Sequence, residues 1–139
     1  MFLTENDYIV SSSNSLNVLQ QSSPEKREKA ERMACEEIAG YLRGRYDTDR
    51  VFSMQGDERN DVLVMRACDI ALYHLSSWLP GKMGHEIRKE RYEQAIKWLE
   101  GVQSGKIMPD LPTYTGENGE EDTNNPFKWG SENKNTYIW

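Results

Sequence analysis

Three runs of apolar residues recur at three- and four-residue spacing, and helix-breaking stretches separate them; that pattern restricts the chain to a bundle of helices. In the first run Ala30, Met33, Ala34, Ile38, Tyr41 and Leu42 form one stripe. It follows Ser23-Pro24-Glu25, a strong start signal. The serine can cap free amides, proline suits the first helical position, and the acid faces the positive end of the dipole. The spacing predicts a helix over residues 24–46, interrupted by Asp47-Thr48-Asp49-Arg50, with Val51, Phe52 and Met54 in an irregular connection ending near Gly56.

The second run, capped by Asp57 or Asn60 and reaching Trp78, carries Val62, Leu63, Met65, Ile70, Leu72, Tyr73 and Leu75 beside small Ala67, Cys68 and Ala71. Apolar side chains around the circumference predict a central, buried helix. Pro80-Gly81 ends it. The third run, residues 85–103, places Ile87, Tyr92, Ala95, Ile96, Leu99 and Val102 on one face, and Gly105 is positioned to terminate it. The expected fold is all-α: a small three- to four-helix bundle over residues 23–105, with an extended, mostly irregular C-terminal arm.

The flanks read differently. Residues 1–22 begin with Phe2, Leu3, Tyr8, Ile9 and Val10, which suit a short docked turn of helix or strand. Ser11-Ser12-Ser13-Asn14-Ser15 follows, and such side chains compete with the backbone for hydrogen bonds. Residues 11–22 are therefore expected as a mobile loop, with Leu16, Val18 and Leu19 able to touch the core. Residues 106–139 form the arm, punctuated by Pro109, Pro112 and Pro126. A disordered tail is poor in aromatics, yet this one holds Tyr114, Phe127, Trp129, Tyr137 and Trp139, which read as anchors on partner subunits.

Composition supports that dependence on partners. Apolar residues make up 37% of 139, enough residues for one domain, and the mean hydropathy is −0.83, so part of the chain is expected to bury little surface alone. A net charge of −6, with basic residues interleaved among acidic ones, is a poor footprint for phosphates. Cys35 and Cys68, both in helical runs, read as buried thiols of a reducing compartment. No stretch approaches the roughly 18 apolar residues of a spanning helix, and the first residues lack a signal-peptide pattern, so a soluble protein without membrane contact is expected.

Catalytic chemistry needs a nucleophile with a base, a metal cluster or a phosphate-cradling loop, and none is visible. His74 and His85 flank the Pro-Gly turn, but no cysteine or carboxylate spacing completes a zinc site. Glu117, Glu120, Glu121 and Asp122 lack the alternating ligands of a calcium loop. No enzyme activity, metal or cofactor is expected. Arg43 and Arg45, with Arg50 nearby, could touch phosphate; helix-end charge and pairing between subunits is the preferred reading for Arg43 and Arg50. Asp69 sits among apolar residues of the central run, where a lone carboxylate is costly to bury. It requires a cation, and Arg91 and Arg45 are the candidates for a structural ion pair.

Three blocks carry a family resemblance: residues 37–46 (EIAGYLRGRY), 66–75 (RACDIALYHL) and 90–99 (ERYEQAIKWL), closed by Gly105-Lys106. In order and spacing, over residues 24–108, the chain resembles the small helical head-tail adaptor proteins of long-tailed bacteriophages, specifically the Mu-like group. The resemblance implies a non-catalytic connector subunit of the virion neck, assembled in the bacterial cytoplasm. Such subunits form a homo-oligomeric ring, a dodecamer in this expectation, beneath the portal protein and next to tail or neck proteins. An acidic ring would pass DNA without specific binding, since like charges repel. The chain departs from the pattern in the connection between its first two helices, which lacks the expected prolines. The serine-rich loop and the aromatic arm are read as lying outside the common core. The alternative is a small DNA-packaging or regulatory protein that contacts DNA through Arg43, Arg45 and Arg50.

Overall fold

The computed structural model describes residues 2–11, 15–79 and 85–114. Among these the fold is all-α, with six helices and no strand. They are α1 (Glu5–Ser11), α2 (Ser15–Gln20), α3 (Pro24–Leu42), α4 (Thr48–Ser53), α5 (Asp61–Ser77) and α6 (His85–Ser104). None of them is long and apolar enough to cross a membrane.

Two of the long helices start where their caps dictate. The Ser23 hydroxyl accepts the Lys26 amide at 3.2 Å, with Pro24 in the first turn of α3. The Asn60 side chain accepts the Leu63 amide at 3.1 Å and fixes the start of α5. That helix is the centre of the molecule, packing on α1, α2, α3 and α6. Leu63, Ala67, Cys68, Ile70, Ala71, Leu72 and Leu75 are all buried on it. The small residues let α3 approach with its own Ala30, Ala34 and Ile38, while α6 adds Ala95, Leu99 and Val102. Each fully buried leucine or isoleucine contributes roughly 1.5–3 kcal/mol.

Three expectations are corrected. The segment read as a mobile loop contains α2, because Val18 and Leu19 are only 2% exposed and hold it on the core. Ser22 closes its C-terminal end, its hydroxyl donating to the Val18 carbonyl at 2.8 Å, while residues 12–14 of the serine run lie outside the described residues. The irregular connection contains α4, started by Asp47, whose side chain accepts the Arg50 amide, and held by buried Val51. Consequently α3 stops at Leu42 instead of residue 46, and Arg43, Gly44 and Arg45 make the turn between the two.

Gly105 takes φ +87°, a left-handed conformation that glycine adopts without steric penalty, and ends α6 there. The chain then folds back on that helix, with the Ile107 amide donating to the Gly101 carbonyl at 3.0 Å. A β-carbon on Gly101 would lie 2.6 Å from Ile107 Cδ1, so glycine is what lets this side chain seat.

Candidate functional site

The start of the C-terminal arm is joined to the body at one corner, between α3 and α4. There Tyr46 and Thr113 form an isolated antiparallel bridge, and the Asp47 amide donates to the Pro112 carbonyl at 2.9 Å. Arg50 Nη1 donates to the Thr113 carbonyl at 3.3 Å. The Tyr114 hydroxyl donates to the Arg43 carbonyl. A more distant tie runs from Asn60 Nδ2 to the Asp110 carbonyl at 3.4 Å, and Leu111 is buried beside it. The arm's first residues therefore lie along their own body. Tyr114, expected as a partner contact, is engaged within the chain; Phe127, Trp129, Tyr137 and Trp139 lie outside the described residues.

The arginines around this corner have intrachain partners. Arg43 Nη2 reaches both carboxylate oxygens of Glu36 at 3.3 Å, an exposed pair contributing at most about 1 kcal/mol. Arg45 Nη1 donates to the Val102 carbonyl at 3.4 Å, at the end of α6. That placement corrects the suggestion of Arg45 as a partner for Asp69: its guanidinium serves the helix terminus, where backbone carbonyls are free to accept.

Asp69 is fully buried on α5, and Arg91 of α6 meets it with two donors: Nε to Oδ1 at 2.7 Å and Nη2 to Oδ2 at 3.3 Å. Burial pushes the carboxyl above its ordinary value, against the opposing pull of Arg91, Arg88 and Arg66. Arg88 is itself only 1% exposed; burial lowers its proton affinity while Asp69 raises it. Asp69 and Arg91 thus tie α5 to α6, and removing Arg91 would leave the buried carboxylate with only the longer-range pull of Arg88 and Arg66.

A second polar junction ties all three long helices. Glu37 of α3 accepts the Tyr92 hydroxyl of α6 at 3.0 Å and meets His74 Nε2 of α5. Tyr73 stacks on Tyr92 at 4.3 Å between centroids, and the His74 ring stands edge-on to both. Burial would raise the Glu37 carboxyl, but the bonds from His74 and Tyr92 outweigh it and hold it below the ordinary range. Burial and the bond to Glu37 push the Tyr92 hydroxyl up to about 12. His74 is thus committed to a carboxylate, and the side chain of His85 lies outside the described ones. Among the described residues no group of three His, Cys, Asp or Glu could hold a metal ion.

Two further residues, unremarked in the sequence, organise the N-terminal segment. Buried Glu31 of α3 accepts the amides of Phe2 and Leu3 at 3.1 and 3.4 Å. Arg59 clamps Asp7 through Nη1 at 2.6 Å and Nη2 at 3.1 Å, and donates to the Phe2 carbonyl at 2.7 Å. Within a helical period Glu31 is indistinguishable from a solvent-facing acid, and nothing local links positions 7 and 59.

The geometry shows structural junctions and a rooted arm. Against it stands one finding from known proteins: the family model described as bacteriophage Mu, Gp36 matches residues 9–126. The match is wider than residues 24–108, and it takes in the serine-rich segment and the first part of the arm, both expected outside the common core. No curated protein and no solved structure matches the chain.

Proposed function

We propose, for a chain that belongs to the bacteriophage Mu Gp36 family, a structural role as a head-tail connector subunit. In this reading it performs no catalysis and binds no cofactor. Copies assemble into a ring beneath the portal protein, join capsid to tail or neck proteins, and surround the DNA channel. The observation that supports it best is the rooted arm. Four hydrogen bonds hold residues 110–114 on the body, three of them at the α3–α4 corner, so the following 25 residues continue from a tethered point. A body with an arm of this kind can lock neighbours without an enlarged core. The intrachain engagement of Arg43, Arg45 and Arg50 favours the connector over a phosphate-gripping protein.

The test is electron microscopy of the purified protein and of particle necks. Rings without DNA, and a neck ring containing this chain, are the expected result. A protein that forms no ring and whose DNA affinity falls steeply with salt would overturn the reading.

A further inference from the structure

The ties that fasten the arm root change in kind at Leu111. Up to that residue apolar contact holds the chain: Ile107 seats against Gly101 in the space a β-carbon would fill, and Leu111 is only 8% exposed. Beyond it the ties are polar. The Pro112 carbonyl accepts the Asp47 amide, the Thr113 carbonyl accepts Arg50 Nη1, and the Tyr114 hydroxyl donates to the Arg43 carbonyl. The last two bonds are exposed, and such bonds exchange with water at little net cost. Thr113 pairs with Tyr46 in an isolated bridge, and a pairing without further strands is marginal in water.

Residues 112–114 can therefore leave the body while residues 107–111 stay on it. In the closed position they engage the polar groups that the α3–α4 corner turns toward the arm: the Arg43 carbonyl, the Asp47 amide and Arg50 Nη1. Release frees all three groups at once. It also adds three residues to the free arm, roughly 10 Å of extended chain, and removes the constraint on its direction.

We propose that residues 112–114 are a strap, closed in the isolated subunit, which opens about the seat of Leu111 before subunits join. The arm stays rooted at residues 107–111 throughout. A closed strap lowers the apparent affinity between subunits in proportion to the fraction that is open, so it restrains association of free copies. The inference deepens the connector reading and rests on it.

Two full-length variants bracket the proposal. Tyr46→Cys, Thr113→Cys places thiols on the bridged residues, whose α-carbons in an antiparallel pair lie roughly 4.5–5.5 Å apart, within disulfide range. Oxidation locks the strap, and the same chain reduced is the control, which cancels the loss of the Tyr46 ring. The native thiols interfere little, since Cys68 is buried and burial pushes Cys35 up to about 12. Arg50→Ala, Tyr114→Phe weakens the strap instead and leaves the buried core untouched. With assembly followed by light scattering against concentration, the locked chain should need a several-fold higher concentration than its reduced form. The weakened variant should need a several-fold lower one than the unaltered protein. Equal assembly of the locked and reduced chains overturns the proposal, as does a weakened variant that assembles no more readily than the unaltered protein. Amide exchange tests the strap without any ring. The Asp47 amide should exchange by local opening, insensitive to low urea, whereas amides of α5 follow global unfolding. Asp47 exchange that tracks global unfolding removes the strap and leaves the connector reading intact. An unaltered protein that forms no ring, while Asp47 exchanges locally, counts against the connector and against the strap's role in assembly.

Discussion

The N-terminal segment and the arm root are both fastened to the same three-helix body, by different physical means. Phe2, Leu3 and Tyr8 are buried in the core, the Phe2 ring meets Phe52 edge-on at 5.1 Å, and two charged side chains, Glu31 and Arg59, hold its backbone. At the arm root the ties are mostly backbone carbonyls accepting at the surface, and Leu111 is the one buried apolar side chain. Apolar burial and desolvated ion pairs are costly to undo, whereas exposed hydrogen bonds exchange readily with water. The first segment therefore belongs to the cooperative core, and the arm root can peel away without unfolding it.

The largest expected effect tests the first half of that contrast. Tyr8→Ala should cost about 3–5 kcal/mol in urea unfolding, the range for deleting a large buried ring. Next comes Arg59→Ala, at about 3 kcal/mol. The pair with Asp7 is nearly buried, with side-chain exposures of 11% and 13%, and its loss strands a carboxylate and a carbonyl.

The same segment gives a pH test in which two acids act in opposite senses. Burial would raise Asp7, but the bonds from Arg59 and Thr4 outweigh it and hold the carboxyl below its ordinary 3.8. The unfolded chain then takes the proton first, so this stabilisation is present above 3.8 and is lost as pH falls through the folded value. Glu31 is shifted the other way: burial, opposed by the Leu3 and Phe2 amides, lifts it above 4.5. There the folded state takes the proton first, so acidification through that folded value adds stability, in full once the pH is below 4.5. In unfolding midpoints followed from neutral to about pH 3, Glu31→Gln should abolish the gain and Asp7→Asn the later loss. Unchanged profiles in both variants would remove these acids from the account.

The smallest effect belongs to the other region. Tyr114→Phe removes the hydroxyl bond to the Arg43 carbonyl and should cost less than about 1 kcal/mol. Amide exchange in residues 110–114 should nevertheless quicken, because local opening is what that bond restrains. A loss matching that of Arg59→Ala would end the distinction between the two regions.

Much of this body was legible because local signals and global packing agree. Ser23-Pro24 and Asn60 start helices where their side chains can accept amides, and the all-round apolar run of α5 is the buried centre. Asp69 illustrates a further kind of legibility: a carboxylate on such a run demands a cation, and Arg91 supplies it. The misses are long-range. α2 exists because Val18 and Leu19 find the core, against the local preference of the serines around them. The junction of Glu37, His74 and Tyr92 joins residues 37 to 55 positions apart, so no periodicity within one helix could display it. The path of residues 110–114 was equally hidden, since its acceptors are carbonyls that every residue possesses.

The seat of Ile107 on Gly101, at the very start of the arm, fixes more than a helix end. Because no side chain stands at position 101, the chain reverses against the helix and leaves on a bearing set by backbone geometry. Identical copies would thus share one departure angle. A residue without a side chain is the mould for the path that follows it: substitution at 101 would be read out in residues 107–114 and not in the helix that carries it.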